Sequence, residues 1–304
     1  MSYENLILVE NLRNDSRELR IFSIPKKHTV LLPLWCIISA YFLYICTYVA
    51  KHPEVLRETK PAPTELAIGL IVDLLYLGIT MYVLHSVIND FLKIAIERAL
   101  KLSVTMKDLL TSVKRLGREK KMEESNVVKH VELVERCTSL YERIPYRIRN
   151  LKLLPSLFSL ILLIGFLARN PLAVGTAIAF TAVAITTEVT LTTRMLMCEY
   201  SEFTEAMKCL AKVDTGVEVL ARHLKNLQYI FTCFEITVAV AVLPLALLQS
   251  HPLDIATIYV LMVMLAIIYY LHMKYLLEFY EKYLNTQTTS IETIIDSVAR
   301  LLIP

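Results

Sequence analysis

The stretch TVLLPLWCIISAYFLYICTYVA, residues 29–50, contains no charged side chain between His28 and Lys51. A membrane hydrocarbon core of about 30 Å is crossed by roughly 17 to 25 helical residues, so this stretch is long enough to span a membrane. It follows a segment of mixed charge and exceeds the apolar part of a secretory signal, which has roughly 7 to 15 residues. We therefore interpret it as a retained membrane anchor.

Five other stretches are comparably long and apolar. Aliphatic, aromatic and Cys residues together make up 55% of the 304-residue chain. The six predicted spans cover residues 29–50, 66–88, 151–168, 171–193, 229–249 and 255–273. Their apolar residues are continuous rather than alternating, which favours helices over a barrel because a helix satisfies its own backbone hydrogen bonds. The sequence predicts an all-α, polytopic membrane protein with six transmembrane helices in three hairpins.

Lys and Arg residues collect in alternate connecting segments. Of the 32 Lys and Arg residues, 28 lie in segments 1–28, 88–152, 194–227 and 274–304, and only four lie in the opposite loops. The cytoplasmic flanks of membrane helices are enriched in these residues. We predict a multi-pass protein of the cell membrane whose N- and C-termini are both cytoplasmic.

We treat residues 1–304 as a single integral membrane domain with cytoplasmic additions. Besides the N-terminal segment 1–28, these additions are predicted helical hairpins over 88–152 and 194–228, and C-terminal helices over 274–304. Helical periodicity in these segments supports the assignment, because apolar residues recur at positions that share one helix face.

Two polar stretches predict breaks in the cytoplasmic helices. GREKK, residues 117–121, predicts the turn of the first hairpin, and NTQTT, residues 285–289, predicts a break in the C-terminal segment. Thr289 and Glu292 then have the spacing of a capping box. An apolar stripe follows, formed by Ile291, Ile294, Ile295, Val298, Leu301 and Leu302. We expect this stripe to dock onto the protein's own helices, the bilayer surface or a partner.

Three carboxylates, Asp73, Glu188 and Glu235, fall inside the predicted spans. Glu188 lies six residues from Arg194 and Glu235 six residues from Tyr229, so both lie about 9 Å from the inner ends of their spans. An ionisable group at such depth usually faces other helices. We expect Glu188 and Glu235 to be neighbours. Their roles remain open between helix–helix contact, lining of a pore or substrate path, and proton or cation coupling.

The segment 88–152 contains fifteen Lys and Arg residues against nine Asp and Glu residues. Its most basic part comprises Lys114, Arg115, Arg118, Lys120 and Lys121. Such a surface is typical of a solvated cytoplasmic helix, and it also suits contact with anionic lipid, nucleic acid or an acidic partner.

The composition gives no indication of enzyme chemistry. The chain has only six glycines and contains no P-loop, no dinucleotide-binding fingerprint and no nucleophile elbow. Its six cysteines include no C-x-x-C pair, and the spacing of His85 and Asp90 places them on different faces of a helix. We predict no catalytic residues, no cofactor and no metal site.

In size and layout the whole chain, from residues 29–50 to IATIYVLMVMLAIIYYLH at 255–272, resembles the polytopic CedA-like subunits of the crenarchaeal Ced DNA-import system. This resemblance implies an archaeal, non-enzymatic channel or scaffold subunit of a multi-protein DNA-import machine. Its expected partners are small two-span membrane proteins and a separate ATPase, in a homo- or hetero-oligomer. The basic residues near position 118 would then contact DNA phosphates.

The same layout also resembles the membrane half of an ABC exporter. The alternative function is therefore a small-solute or ion transporter. It would either work with a separate ATPase or be a carrier coupled to protons or cations through Asp73, Glu188 and Glu235.

Overall fold

The structure is a computed structural model of the chain. It describes Glu10 and residues 26–58, 62–119, 124–149, 153–207, 215–248 and 252–302. Every secondary-structure element in these ranges is an α-helix. The helices are α1 (His28–Lys51), α2 (Pro53–Glu58), α3 (Pro63–Glu119), α4 (Glu124–Arg149), α5 (Leu154–Leu167), α6 (Pro171–Met207), α7 (Thr215–Leu248) and α8 (Pro252–Leu302).

Five of these helices, α1, α3, α6, α7 and α8, are long and apolar enough to cross a membrane. They indicate that the protein is membrane-embedded, as the sequence predicts. Among these five helices the most extensive contacts join α1 to α8, α6 to α7 and α7 to α8, and α1 also packs on α6. We call α1, α6, α7 and the first half of α8 the bundle.

Helix α5 is shorter than the span predicted over residues 151–168. It contains 14 residues, or about 21 Å of helix, whereas a hydrocarbon core measures about 30 Å. Pro155 lies in its first turn, where the missing N–H costs nothing, and Arg169 (φ 51°) lies in the left-handed region where the chain turns into α6. Five helices in the described ranges, rather than six, therefore have spanning length.

Helix α3 continues far beyond the apolar part of its sequence and packs antiparallel to α4. Its 57 residues form about 86 Å of helix. The ion pairs Lys107–Glu142 and Lys114–Glu135, each with an N–O distance of 2.6 Å, join the two helices. We call residues 89–119 together with α4 the arm. Residues 117–119 of the predicted turn GREKK form the last residues of α3, and Lys120 and Lys121 lie outside the described residues.

The predicted break at NTQTT is wrong, because α8 runs without interruption from Pro252 to Leu302. Gln287 is fully buried, and the hydroxyl of Thr288 donates to the carbonyl of Leu284 at 2.9 Å. The Thr289 hydroxyl likewise donates to the Asn285 carbonyl at 3.0 Å, so it does not cap a new helix. Hydroxyls that bond back to the preceding turn allow a polar stretch to remain helical.

The described part of the apolar stripe packs inside this protein. Ile291, Ile294 and Ile295 are each 1% exposed and belong to the continuous hydrophobic core. The side chains of Val298, Leu301 and Leu302 lie outside the described part of the structure. The first half of the stripe therefore docks onto the protein's own helices.

Helix α1 fixes the position of α3 through polar contacts at several depths. Trp35 Nε1 donates to Thr80 Oγ1 at 3.0 Å, and Lys27 Nζ lies 2.7 Å from the Asp90 carboxylate at the N-terminal end of α1. This hydrogen bond raises the pKa of Lys27. Towards the N-terminus of α3 from Thr80, residues 63–75 are all exposed. We call residues 63–75 the open half of α3.

Candidate functional site

A buried acid–histidine pair joins three helices of the bundle. His272 on α8 places its Nδ1 2.8 Å from Oε1 of Glu235 on α7. The other ring nitrogen, Nε2, lies 3.0 Å from the hydroxyl of Thr193 on α6. All three side chains have an exposed fraction of 0%. The ring of Phe231, one turn before Glu235, stacks on the imidazole with a centroid distance of 5.9 Å.

The hydrogen bonds of Thr193 restrict the protonation of His272. The Thr193 hydroxyl also lies 2.8 Å from the Val189 carbonyl, which can only accept a hydrogen bond. When the single hydroxyl hydrogen points to Val189, Nε2 of His272 must carry a hydrogen and donate it to Thr193. One further proton then lies between Nδ1 of His272 and the Glu235 carboxylate, on either atom.

Other polar groups surround this pair inside the bundle. The Tyr269 hydroxyl is 2.6 Å from the Thr186 hydroxyl, and both side chains are at most 1% exposed. The carboxylates of Glu235 and Glu188 both act electrostatically on Tyr269, and Glu235 also acts on Cys36 of α1. Groups from α1, α6, α7 and α8 therefore form one polar cluster in the bundle.

Glu188 is buried without a hydrogen-bonding partner. Its exposed fraction is 1%, and neither carboxylate oxygen forms a hydrogen bond within the part of the chain that the structure describes. It lies on α6, five residues and about 7.5 Å before Thr193. The prediction that Glu188 faces other helices agrees with this burial.

Glu188 and Glu235, which we expect to be neighbours, both act electrostatically on Tyr269 but do not hydrogen-bond to each other. Glu235 binds His272, and neither Glu188 oxygen is within hydrogen-bonding distance of Glu235. The physical reason is charge. A carboxylate gains from a proton donor such as imidazole, whereas a second carboxylate at the same distance is repulsive unless it is protonated.

Asp73 lies apart from this cluster, in the open half of α3. Its side chain is exposed and forms no hydrogen bond or ion pair with any described residue. A Cβ placed at Gly69, one turn earlier, would meet no atom within 4 Å. The three carboxylates of the predicted spans therefore occupy two different environments, and only Glu188 and Glu235 share one.

The predicted basic residues are only partly described. Lys114 is bound to Glu135, and Arg115 is exposed on the same helix. Arg118 lies in the last turn of α3 with its side chain undescribed, and Lys120 and Lys121 lie outside the described residues. Among the predicted basic residues, Lys114 therefore forms an ion pair that joins the two helices of the arm.

His272 was missed by sequence reasoning. It lies at the very end of the sixth predicted span, where a histidine is usually taken as an interfacial residue. Depth in the predicted spans gave no signal for the contact: Glu235 lies six residues after the start of its span, and His272 lies one residue before the end of the next. The only available signal was that both are polar residues on consecutive helices, which are candidates for a hydrogen bond.

The order hydroxyl, imidazole and carboxylate in Thr193, His272 and Glu235 is also that of a hydrolase triad. Two observations argue against nucleophilic catalysis at this place. The three side chains have no exposed surface, and Thr193 lies inside a continuous helix, where the backbone N–H groups that would bind an oxyanion are already used. The chemistry that the arrangement suits is the holding of a proton.

A second buried polar cluster lies where the bundle meets the arm. The amide of Gln287 on α8 donates to the Tyr141 hydroxyl on α4, and Tyr283 donates to Glu199 on α6 at 3.2 Å. Arg98 on α3 lies over the Tyr283 ring at 5.9 Å. This cluster connects four helices and explains why the polar residues of α8 are buried there.

Comparison with known proteins gives no match: no family model fits the chain, and no curated protein or solved structure is significantly similar to it. The functional interpretation therefore depends on the geometry of the chain itself and on the resemblance in layout.

Proposed function

We propose that this protein is a channel or scaffold subunit of a multi-protein machine that imports DNA through the cell membrane. The observation that carries the subunit role is the open half of α3. Its residues lie in an apolar stretch of membrane-spanning character, yet each of them is exposed. Such a surface suits contact with another membrane subunit.

Asp73 and Gly69 give this surface its chemistry. A carboxylate that faces lipid costs a few kcal/mol, and this cost falls when a neighbouring helix supplies a hydrogen-bond donor. A glycine one turn away permits close approach of that helix, because small residues let helix backbones pack tightly in membranes. The partners expected from the Ced-like resemblance, which include small two-span proteins, would provide such helices.

We infer further that the chain crosses the membrane six times and that both termini and the arm are cytoplasmic. Contacts of α5 support the sixth crossing: Ser159 bonds His85, and Phe166 stacks on Tyr76, so α5 follows the apolar part of α3. A short apolar helix is accommodated by local thinning of the bilayer. The basic tip of the arm, near Arg118, would then meet DNA phosphates or anionic lipid.

Gene deletion in the native host tests this function. Loss of the protein should abolish DNA uptake between cells, and the wild-type gene should restore it. Complementation with Asp73→Asn should restore it poorly, because the partner loses its carboxylate contact. Glu97→Gln, which changes an exposed carboxylate of the arm, is the matched control and should restore uptake fully. Unchanged uptake in the deletion strain would refute the proposal.

A proton- or cation-coupled transporter is the second candidate, and the burial of Glu188 and Glu235 favours it. Purified protein in vesicles with a trapped pH-sensitive dye should dissipate an imposed pH gradient, and Glu188→Gln should slow this dissipation while the protein stays folded. Equal rates for wild type and Glu188→Gln would exclude a coupling role for Glu188.

A further inference from the structure

The charge of the Glu235–His272 pair depends on a single proton. With hydrogens on both ring nitrogens of His272, or with one on Glu235 and one on Nε2, the pair has no net charge. Removing one proton leaves a net charge of −1 at a place with no exposed surface. The Thr193 hydroxyl must then turn from Val189 towards Nε2, so that Nδ1–H can still donate to Glu235. The pair thus has a loaded and an unloaded arrangement that differ by one proton and one hydroxyl rotation.

Glu188 offers a second place for a proton in the same cluster. An anionic carboxylate without a hydrogen-bonding partner is strongly disfavoured in an apolar interior, whereas a protonated carboxyl group is tolerated there. Neither oxygen of Glu188 has such a partner among the described residues. Since Glu188 and Glu235 both act electrostatically on Tyr269, a change of charge at either acid is felt at the same hydroxyl.

We propose that the Glu235–His272 pair binds an exchangeable proton inside the bundle, and that Glu188 is a second proton-binding group of the same site. On release, the bond that breaks is the one from the proton to Nδ1 or Oε1, its electron pair stays on that atom, and the proton passes to the aqueous phase. This site is independent of whether the protein serves DNA import or solute transport.

The groups that face the pair come from every helix packed around it. They are Cys36 on α1, Thr193 on α6 and Tyr269 on α8, three residues before His272; Glu188 on α6 acts on the same Tyr269. Lys and Arg are absent from the groups shown to interact with it in the described part of the chain. Without a fixed cation nearby, an anionic pair is not stabilised, and proton binding is the means by which the site becomes neutral.

Infrared difference spectroscopy of the full-length protein in phosphatidylcholine nanodiscs, recorded as the pH is raised, tests this proposal. Wild type should lose bands of a protonated carboxyl group or an imidazolium ring that exchange with deuterium. Glu235→Gln should abolish the change that belongs to the pair, because its amide can accept from Nδ1–H but cannot take the proton. Glu188→Gln should remove a separate carboxyl band.

Glu97→Gln, an exposed arm carboxylate, is the control and should leave both signals intact. If Glu235→Gln does not fold, Thr193→Val serves instead: loss of the acceptor for Nε2–H should change the imidazole bands of the pair. Bands that do not titrate in wild type, or that persist unchanged in Glu235→Gln or Thr193→Val, would overturn the proposal and leave the pair as a fixed helix contact.

Discussion

Glu235 and Asp73 are both acids within apolar helices, and their surroundings differ completely. Glu235 is fully buried, with its carboxylate 2.8 Å from His272 of the next helix. Asp73 is exposed on the open half of α3, with no hydrogen bond to a described residue. The first acid has a hydrogen-bond partner within the folded chain, whereas the second has none among the residues that the structure describes. Two acids in apolar helices can therefore lie in opposite environments, one buried and one exposed.

The largest effect is expected for Glu235→Ala. It leaves Nδ1 of His272 without a partner in a place with no exposed surface. Breaking a buried ion pair from one side costs about 3 to 5 kcal/mol of the free energy of unfolding. The measurement is denaturant or thermal unfolding in detergent micelles, followed by circular dichroism.

Asp73→Ala is the matched control, since it makes the same type of change in the other environment. Its effect on the free energy of unfolding of the isolated protein should stay within about 0.5 kcal/mol, as for ordinary exposed positions. A loss as large as that of Glu235→Ala would mean that Asp73 is held inside the chain, and the contrast between the two acids would fail.

Two glycines extend the same comparison to packing. A Cβ at Gly165 on α5 would lie 2.5 Å from Ala177 Cβ and 3.1 Å from the Ala173 carbonyl oxygen of α6, whereas a Cβ at Gly78 on α3 would meet nothing within 4 Å. We expect Gly165→Ala to cost about 1 to 3 kcal/mol, because α5 and α6 must move apart. Gly78→Ala should be neutral or slightly stabilising in the same unfolding assay, since alanine favours the helix. Equal midpoints for the two variants would show that α5 does not pack closely on α6.

Sequence reasoning identified the apolar helices because their residues are continuous and long. It did not show how short α5 is, since hydropathy over 151–168 does not indicate that the helix contains 14 residues. It also failed at NTQTT, because polar residues predict a break only when they face water. Gln287 faces other side chains, and that depends on the distant Tyr141.

The candidate site was predicted in part for a similar reason. The acids Glu188 and Glu235 are conspicuous in an apolar sequence, so their positions could be chosen from sequence alone. Their partners could not, because hydrogen bonds between helices depend on rotation and depth, which a single sequence does not encode. In the sequence His272 is only a polar residue near the end of a span, and its contact with Glu235 exists only because α7 and α8 pack together.

Gln287→Leu tests whether the polar stretch of α8 is buried. The change removes the donor to the Tyr141 and Tyr283 hydroxyls, and a lost buried hydrogen bond costs about 0.5 to 1.5 kcal/mol. Asn285→Leu, at an exposed position of the same stretch, should have almost no effect on unfolding. If both variants were neutral, the stretch would be the solvated break that the sequence alone predicts.

The smallest effect concerns the thiols, where stability is unchanged and only reactivity separates buried from exposed side chains. Burial raises the pKa of the Cys137 thiol on α4 from 9.0 to about 12, whereas Cys198 on α6 is exposed. Thiolate is the reactive form, so this rise lowers the reactive fraction of Cys137 at neutral pH by about a thousandfold.

In variants that keep only one cysteine, maleimide should label Cys198 at once and Cys137 only after unfolding. Since the raised pKa holds Cys137 in its thiol form, its labelling should quicken only as the pH approaches that value. Rapid labelling of Cys137 in the native protein at neutral pH would show that α4 does not stay packed against α3. The arm would then be exposed like the open half of α3, rather than packed like the bundle.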